Sequence, residues 1–254
     1  MTEFVVVIPA RYASERLPGK PLRDIAGKPM LQHVFERGTE SDASDVVIAT
    51  DDNRIAAAAE SFAAECCMTS SEHKSGTDRL AEVAREKSWT DEMIIVNLQG
   101  DEPLMPPGLI NQCAALLDDN RADIATLASP IQSQADFENP NVVKAVTDVD
   151  GFALYFSRAS IPYPRSGENQ KLAVKTALHH HGIYAYRNAV LQKIVAAEQT
   201  ALEVCEQLEQ LRALSLGMKI KVGTPSTRPG PGVDTEEDLA EAVRLLNRVN
   251  RPAQ

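Results

Sequence analysis

Apolar residues along this chain gather in short, dense runs separated by longer amphipathic stretches. Phe4-Val5-Val6-Val7-Ile8 is one such run; Val46 to Thr50, Met93 to Leu98 and Ile124 to Ala128 repeat the pattern. Runs this short and this uniformly apolar predict strands buried on both faces, as in parallel sheets. Between them, residues 55–64, 77–87 and 107–117 predict helices. The first is alanine-rich, the second carries Leu80, Val83 and Ala84 at helical spacing, and the third has Pro107 near its start. Strand and helix in alternation imply an α/β, Rossmann-like fold, a mostly parallel sheet with helices on both faces.

The rhythm changes after residue 130. Residues 142–149, 152–157 and 182–187 predict strands, and Asp150-Gly151 between the first two is a hairpin signal. A smaller antiparallel lobe or sheet extension is expected over about residues 130–190, within a single domain of residues 1–254. Residues 165–175 are polar and predict a surface loop. Helices return at 188–198 and 201–216. A final helix follows Thr235, its expected N-cap, with acidic residues in the first turn.

Composition narrows the function. With a net charge of -10 over 254 residues, the chain is a poor candidate for binding nucleic acid or an anionic membrane. No apolar run is long enough to span a bilayer, no cleavable leader pattern opens the chain, and Cys66, Cys67, Cys113 and Cys205 make no zinc spacing. A cytoplasmic protein is expected.

Against that negative charge, Arg11, Arg16 and Lys20 cluster in a Pro- and Gly-stiffened loop directly after the first strand. Cations placed there answer an anion, and ligands of α/β sheets collect at the carboxyl ends of strands. The loop is not a P-loop, because Ser14 and Pro21 stand where that pattern needs Gly and Ser or Thr. No G-x-G-x-x-G occurs either. Asp101, at the end of the strand 93–98, and Asp234, just before the last helix, are candidate Mg²⁺ ligands facing such a loop. The competing role for each is helix capping. Gly76, flanked by Ser75 and Thr77, suits close backbone approach to a ligand or plain capping of the next helix. His179-His180-His181 alternates faces on a strand, so three rings do not converge on one ion; one ring turned inward as a hydrogen-bond donor is expected. Leu208, Leu211 and Leu214 predict a packed helical stripe.

These motifs, in this order, resemble the 3-deoxy-manno-octulosonate (Kdo) cytidylyltransferases: IPARYAS-RLPGKPL at 8–22, ATD at 49–51, SGTDRLAE at 75–82, VNLQGDEP at 96–103, LYFSRASIP at 154–162, GIYAYR at 182–187, LEQLR at 208–212 and GVDT at 232–235. The resemblance implies a nucleotidyltransferase, glycosyltransferase-A-like fold with a sugar-binding and dimerisation lobe. It implies the reaction CTP + Kdo → CMP-Kdo + pyrophosphate with Mg²⁺, in a homodimer that serves lipopolysaccharide synthesis. It implies that Arg11, Arg16 and Lys20 hold the CTP phosphates and that Ser75, Gly76 and Gln99 line the cytosine and ribose pocket. Asp101 and Asp234 become the metal ligands; Arg158, His180, Tyr184, Glu209 and Gln210 recognise the sugar acid. Transfer to a related acid (8-amino-Kdo or sialate) and a non-catalytic binding protein are the alternatives.

Overall fold

The computed structural model describes residues 3–13 and 16–249; Ser14, part of the first motif, lies outside them. The chain runs β1 (Phe4–Ala10), a 3-10 turn (Lys20–Leu22), β2 (Asp24–Ile25), β3 (Lys28–Pro29), α1 (Met30–Thr39), β4 (Asp45–Thr50), α2 (Asn53–Ser61), β5 (Glu65–Met68), α3 (Gly76–Glu86), β6 (Ile94–Asn97) and α4 (Pro107–Ala115). It continues through β7 (Ile124–Pro130), α5 (Gln134–Glu138), β8 (Lys144–Thr147), β9 (Ala153–Ser157), α6 (Gln170–Thr176), β10 (Leu178–Arg187), α7 (Asn188–Ala196), α8 (Ala201–Glu206), α9 (Gln210–Ser215), β11 (Ile220–Gly223) and α10 (Glu236–Val249).

The main sheet has the order β11-β7-β10-β6-β1-β4-β5. Neighbours pair in parallel except around β10, which runs antiparallel between β6 and β7. The expected mostly parallel α/β sheet is what forms. The β8–β9 hairpin hydrogen-bonds to the start of β10 and so extends this sheet. Gly151, at φ 78°, supplies the left-handed residue of the hairpin turn.

The period of two along β1 explains its burial. Phe4, Val6, Ile8 and Ala10 pack on one face with Leu31, Val34, Leu109 and Ile110; Val5 and Val7 pack on the other with Leu80, Val83, Leu191 and Ile194. A smaller cluster joins Leu17 of the basic loop to Ile25, Met30, Val233, Leu239 and Ala242. At about 1.5–3 kcal/mol per buried large aliphatic side chain, it anchors the loop after β1 to the last helix.

Two sequence expectations are corrected. Residues 165–175 are a 3-10 turn followed by α6, whose Ala173 is buried with Ile131, Phe137 and Ala177. Small apolar residues four apart give little hydrophobic signal but pack closely. Residues 201–216 are two helices, α8 and α9, broken at Gln207 with φ 52°. The break lets Arg212 fold back onto Glu203: its Nε donates to Oε2 at 2.8 Å, with both side chains buried.

Candidate active site

The loop after β1, the turn after β6 and the segment before α10 meet at the carboxyl end of the sheet. Nζ of Lys20 donates to Oδ2 of Asp101 at 2.6 Å and to Oδ1 of Asp234 at 2.8 Å, and Arg16 lies 3.0 Å from the same Asp234 oxygen. Capping does not account for either aspartate. Thr235 caps α10, its Oγ1 accepting from the Asp238 amide at 3.2 Å, and α4 begins behind Pro106 without a side-chain cap. Burial works against the charge on Lys20, but the two carboxylates outweigh it and raise its pKa; burial likewise opposes ionisation of Asp234, which Lys20 and Arg16 overcome and lower.

Close backbone approach makes this convergence possible. A Cβ on Gly100 would stand 2.8 Å from the carbonyl oxygen of Pro9, so only glycine lets the Asp101 turn lie against β1. The Val233 amide donates to the Asp101 carbonyl at 2.9 Å and ties the two acidic segments together.

Arg11, Arg16, Lys20, Ser75, Gly76, Gln99, Asp101, Glu209 and Asp234 line one cleft of about 570 Å³. Ser75 also caps α3 in a capping box with Asp78, so the capping role weighed for this segment forms at the edge of the cleft. Gly76, Gln99 and Glu209 are shared with an adjoining cavity of about 280 Å³, which His180, Tyr184 and Gln210 also line. Arg158 lines neither. Its Nε donates to the Glu206 carbonyl at 2.8 Å and its Nη1 to the Pro140 carbonyl at 3.1 Å, which fixes it to the β8–β9 side.

The smaller cavity is rich in unmet hydrogen-bonding capacity. Among the described residues, the buried side-chain atoms without a partner are Nε of Arg79, Oδ1 of Asn97, the Tyr184 hydroxyl and Nε2 of Gln210; the last three belong to this cavity. Buried polar groups are normally paired, so an acceptor and donors left open together mark a polar ligand site. Glu209 accepts from Thr77 Oγ1 at 2.6 Å, yet burial still raises its pKa. His180 is turned inward, as expected of one histidine. Thr126 donates its hydroxyl to the Ile183 carbonyl at 2.7 Å, so it accepts from Nε2–H of His180 at 3.0 Å, and Nδ1 remains an acceptor. Burial, then its histidine neighbours, push His180 down to about 3. His181 pairs separately with Ser129 Oγ at 2.7 Å. No group of three or more His, Cys, Asp or Glu suited to a metal occurs among the described residues.

Sequence reasoning missed Asn97, which lines the smaller cavity. Asn97 ends β6 and shows no local chemistry until Tyr184 is paired opposite it. Glu102, beside Asp101, lines neither cavity; burial, then Asp101 and Asp234, push its carboxyl up to about 8.

Comparison with known proteins identifies the family of the chain. Residues 5–220 match the family model described as Cytidylyltransferase. The 3-deoxy-manno-octulosonate cytidylyltransferase of Cellvibrio japonicus is 53% identical over 250 residues, 96% of this chain and 98% of that protein. Its counterpart in Vibrio parahaemolyticus is 52% identical over 245 residues, 96% of this chain and 97% of that protein. A CMP:2-keto-3-deoxy-manno-octonic acid synthetase solved in complex with CTP superposes with a TM-score of 0.89 at 43% identity, covering 98% of this chain and 100% of that one. A 4-diphosphocytidyl-2C-methyl-D-erythritol synthase from Anaerococcus prevotii, 13% identical with a TM-score of 0.62 over 97% of each chain, shares the fold alone. Family model, relatives along nearly the whole length and a closely superposing synthetase agree: the chain belongs to the 3-deoxy-manno-octulosonate cytidylyltransferases.

Proposed function

We propose that the chain transfers CMP from CTP to Kdo, releasing pyrophosphate. The observation that carries this is the joining of a cleft holding Arg11, Arg16, Lys20, Asp101 and Asp234 to a cavity whose buried polar groups lack partners. The first suits a triphosphate; the second suits a polyhydroxylated acid.

Asp101 and Asp234 fit a magnesium ion. Oxygens of both already converge on one ammonium, within 2.8 Å, and hard carboxylate donors that leave room for phosphate oxygens are what Mg²⁺ takes. When bound, the ion supplies charge neutralisation at the phosphate oxygens and lowers the pKa of the attacking hydroxyl. Arg11, Arg16 and Lys20 hold the triphosphate and offset the charge that builds on departing pyrophosphate. Ser75, Gly76 and Gln99 border the nucleoside end. His180, Tyr184, Glu209, Gln210 and Asn97 hold the sugar acid in line. Its anomeric oxygen forms the new bond to the α-phosphorus as the α–β bridging bond breaks, the electron pair leaving with pyrophosphate and the hydroxyl proton passing to water. Held at Thr126 and depressed by burial, His180 orients substrate and does not serve as the base.

The same reading makes the product an activated Kdo for lipopolysaccharide, made in the cytoplasm by a homodimer. No helix among the described residues is long and apolar enough to cross a membrane. This reading assigns the dimerisation lobe of a single-domain chain to the 130–190 region, where Val149, Leu154, Tyr163 and Leu172 are exposed, as Met68, Leu202, Val204 and Leu216 are elsewhere. Arg158, locked to Glu206 and Pro140, is not assigned to the sugar.

Pyrophosphate release from CTP and Mg²⁺ with Kdo, 8-amino-Kdo and sialate in parallel tests the function. Turnover greatest with Kdo supports it. Turnover greater with another acid moves the assignment to that acid, and none with any acid sinks enzymatic function.

A further inference from the structure

Residues 69–75, between β5 and α3, contain no helix or strand but are tied down along their length. Helix α3 does the tying with residues that fall on one side of it. The Thr69 amide donates to the Thr50 carbonyl at 2.8 Å, and Arg79 Nη1 donates to Thr69 Oγ1 at 2.6 Å. Oε2 of Glu82 accepts from the Ser70 amide at 3.0 Å and is hydrogen-bonded to Nε2 of His73. Asp78 pairs with Ser75 through the capping box. On the cleft side, the main-chain carbonyl of His73 accepts from Nη2 of Arg11. His73 is thus held by Glu82 through its ring and holds Arg11 through its backbone.

We infer that Glu82 and His73 are positioning residues for the nucleotide, acting through Arg11. This rests on the cytidylyltransferase reading, in which Arg11 faces the CTP phosphates. A guanidinium is a rigid fork of donors on a long, flexible stem. Bonding one arm to a fixed carbonyl orders that stem before ligand arrives, so less conformational freedom is lost on binding. The carbonyl is fixed because Glu82 holds the segment at both Ser70 and His73. Without Glu82 the carbonyl is released, and CTP must order Arg11 itself.

The test is a double-mutant cycle read by calorimetric CTP affinity and by steady-state kinetics on the full chain. Glu82→Ala is expected to weaken CTP binding about tenfold, a loss of about 1.4 kcal/mol, with kcat changed less than about twofold. In an Arg11→Ala background the same substitution is expected to cost less than about twofold, because the group it acts through is gone. Glu82→Gln keeps an acceptor and a matching shape, and is expected to recover most of the affinity. It also guards against a folding defect in the alanine variant. Equal losses in both backgrounds, or an unchanged affinity in Glu82→Ala, overturn the relay alone. A wild-type chain that binds no CTP overturns the cytidylyltransferase reading and the relay with it.

Discussion

Nζ of Lys20 lies 2.8 Å from Oδ1 of Asp234, a residue 214 positions further along the chain, and 2.6 Å from Oδ2 of Asp101. The ammonium occupies the point at which the two carboxylates converge. It holds them together and offsets a repulsion that would otherwise separate them. Asp101→Asn and Asp234→Asn are each expected to lower kcat by about 10²–10³-fold, the scale of losing one preorganised electrostatic contact. Mg²⁺ titration of both variants by calorimetry checks the cause. Wild-type affinity for Mg²⁺ in either variant would remove that aspartate from the ligand set.

Tyr184→Phe separates sugar recognition from folding. The hydroxyl has no protein partner, so its removal strands no buried group. The expected outcome is an unchanged or slightly higher Tm with KM for the sugar acid raised about tenfold and KM for CTP unaffected. A fall in Tm with both KM values unchanged would make Tyr184 a core residue only.

Gly100→Ala tests the approach of the Asp101 turn to β1. The new Cβ would meet the Pro9 oxygen at 2.8 Å, so one backbone must move. A stability loss of about 1–3 kcal/mol, with a fall in kcat exceeding any change in KM for CTP, is expected in urea unfolding and steady-state assays. A fully active, fully stable variant would mean that the turn has room to spare.

Stability is expected to decline as pH falls from about 6.5 towards 4. Burial, then neighbouring histidines, lower His180 to about 3, and burial, then His179, lower His181 to about 4, from an ordinary 6.5. In that window the unfolded chain binds protons that the folded chain refuses, so unfolding is favoured as acid is added. The slope is ~1.4 kcal/mol per pH unit for each histidine between its two pKa values. Urea unfolding across pH 7 to 4.5 should show a shallower decline in His181→Asn than in wild type. Identical slopes would place the acid sensitivity elsewhere.

Much of the site was legible because its parts are local. The cations of 11–20, the strand-end Asp101 and the Asp234 before α10 each sit beside a strand or helix whose pattern is strong. What escaped depends on distant partners. The left-handed Gln207 is set by Arg212 returning to Glu203, and helix α6 by the closure of Ile131 and Phe137 over Ala173. Asn97 emerges as a site residue only when β10 lies beside β6. Arg158 shows the opposite case: its motif matches while its guanidinium is committed to backbone carbonyls outside both cavities.

The satellite cluster of Leu17, Ile25, Met30, Val233, Leu239 and Ala242 also couples the fate of the cationic loop to that of the last helix. Every strand of the main sheet is complete by Gly223, before Asp234. The loop after β1 and the segment carrying Asp234 therefore share a packing interface that the sheet does not supply. Local opening of the last helix would loosen the anion grip and withdraw the second carboxylate together while the sheet stays closed, so both halves of the chemistry are gained or lost in one step.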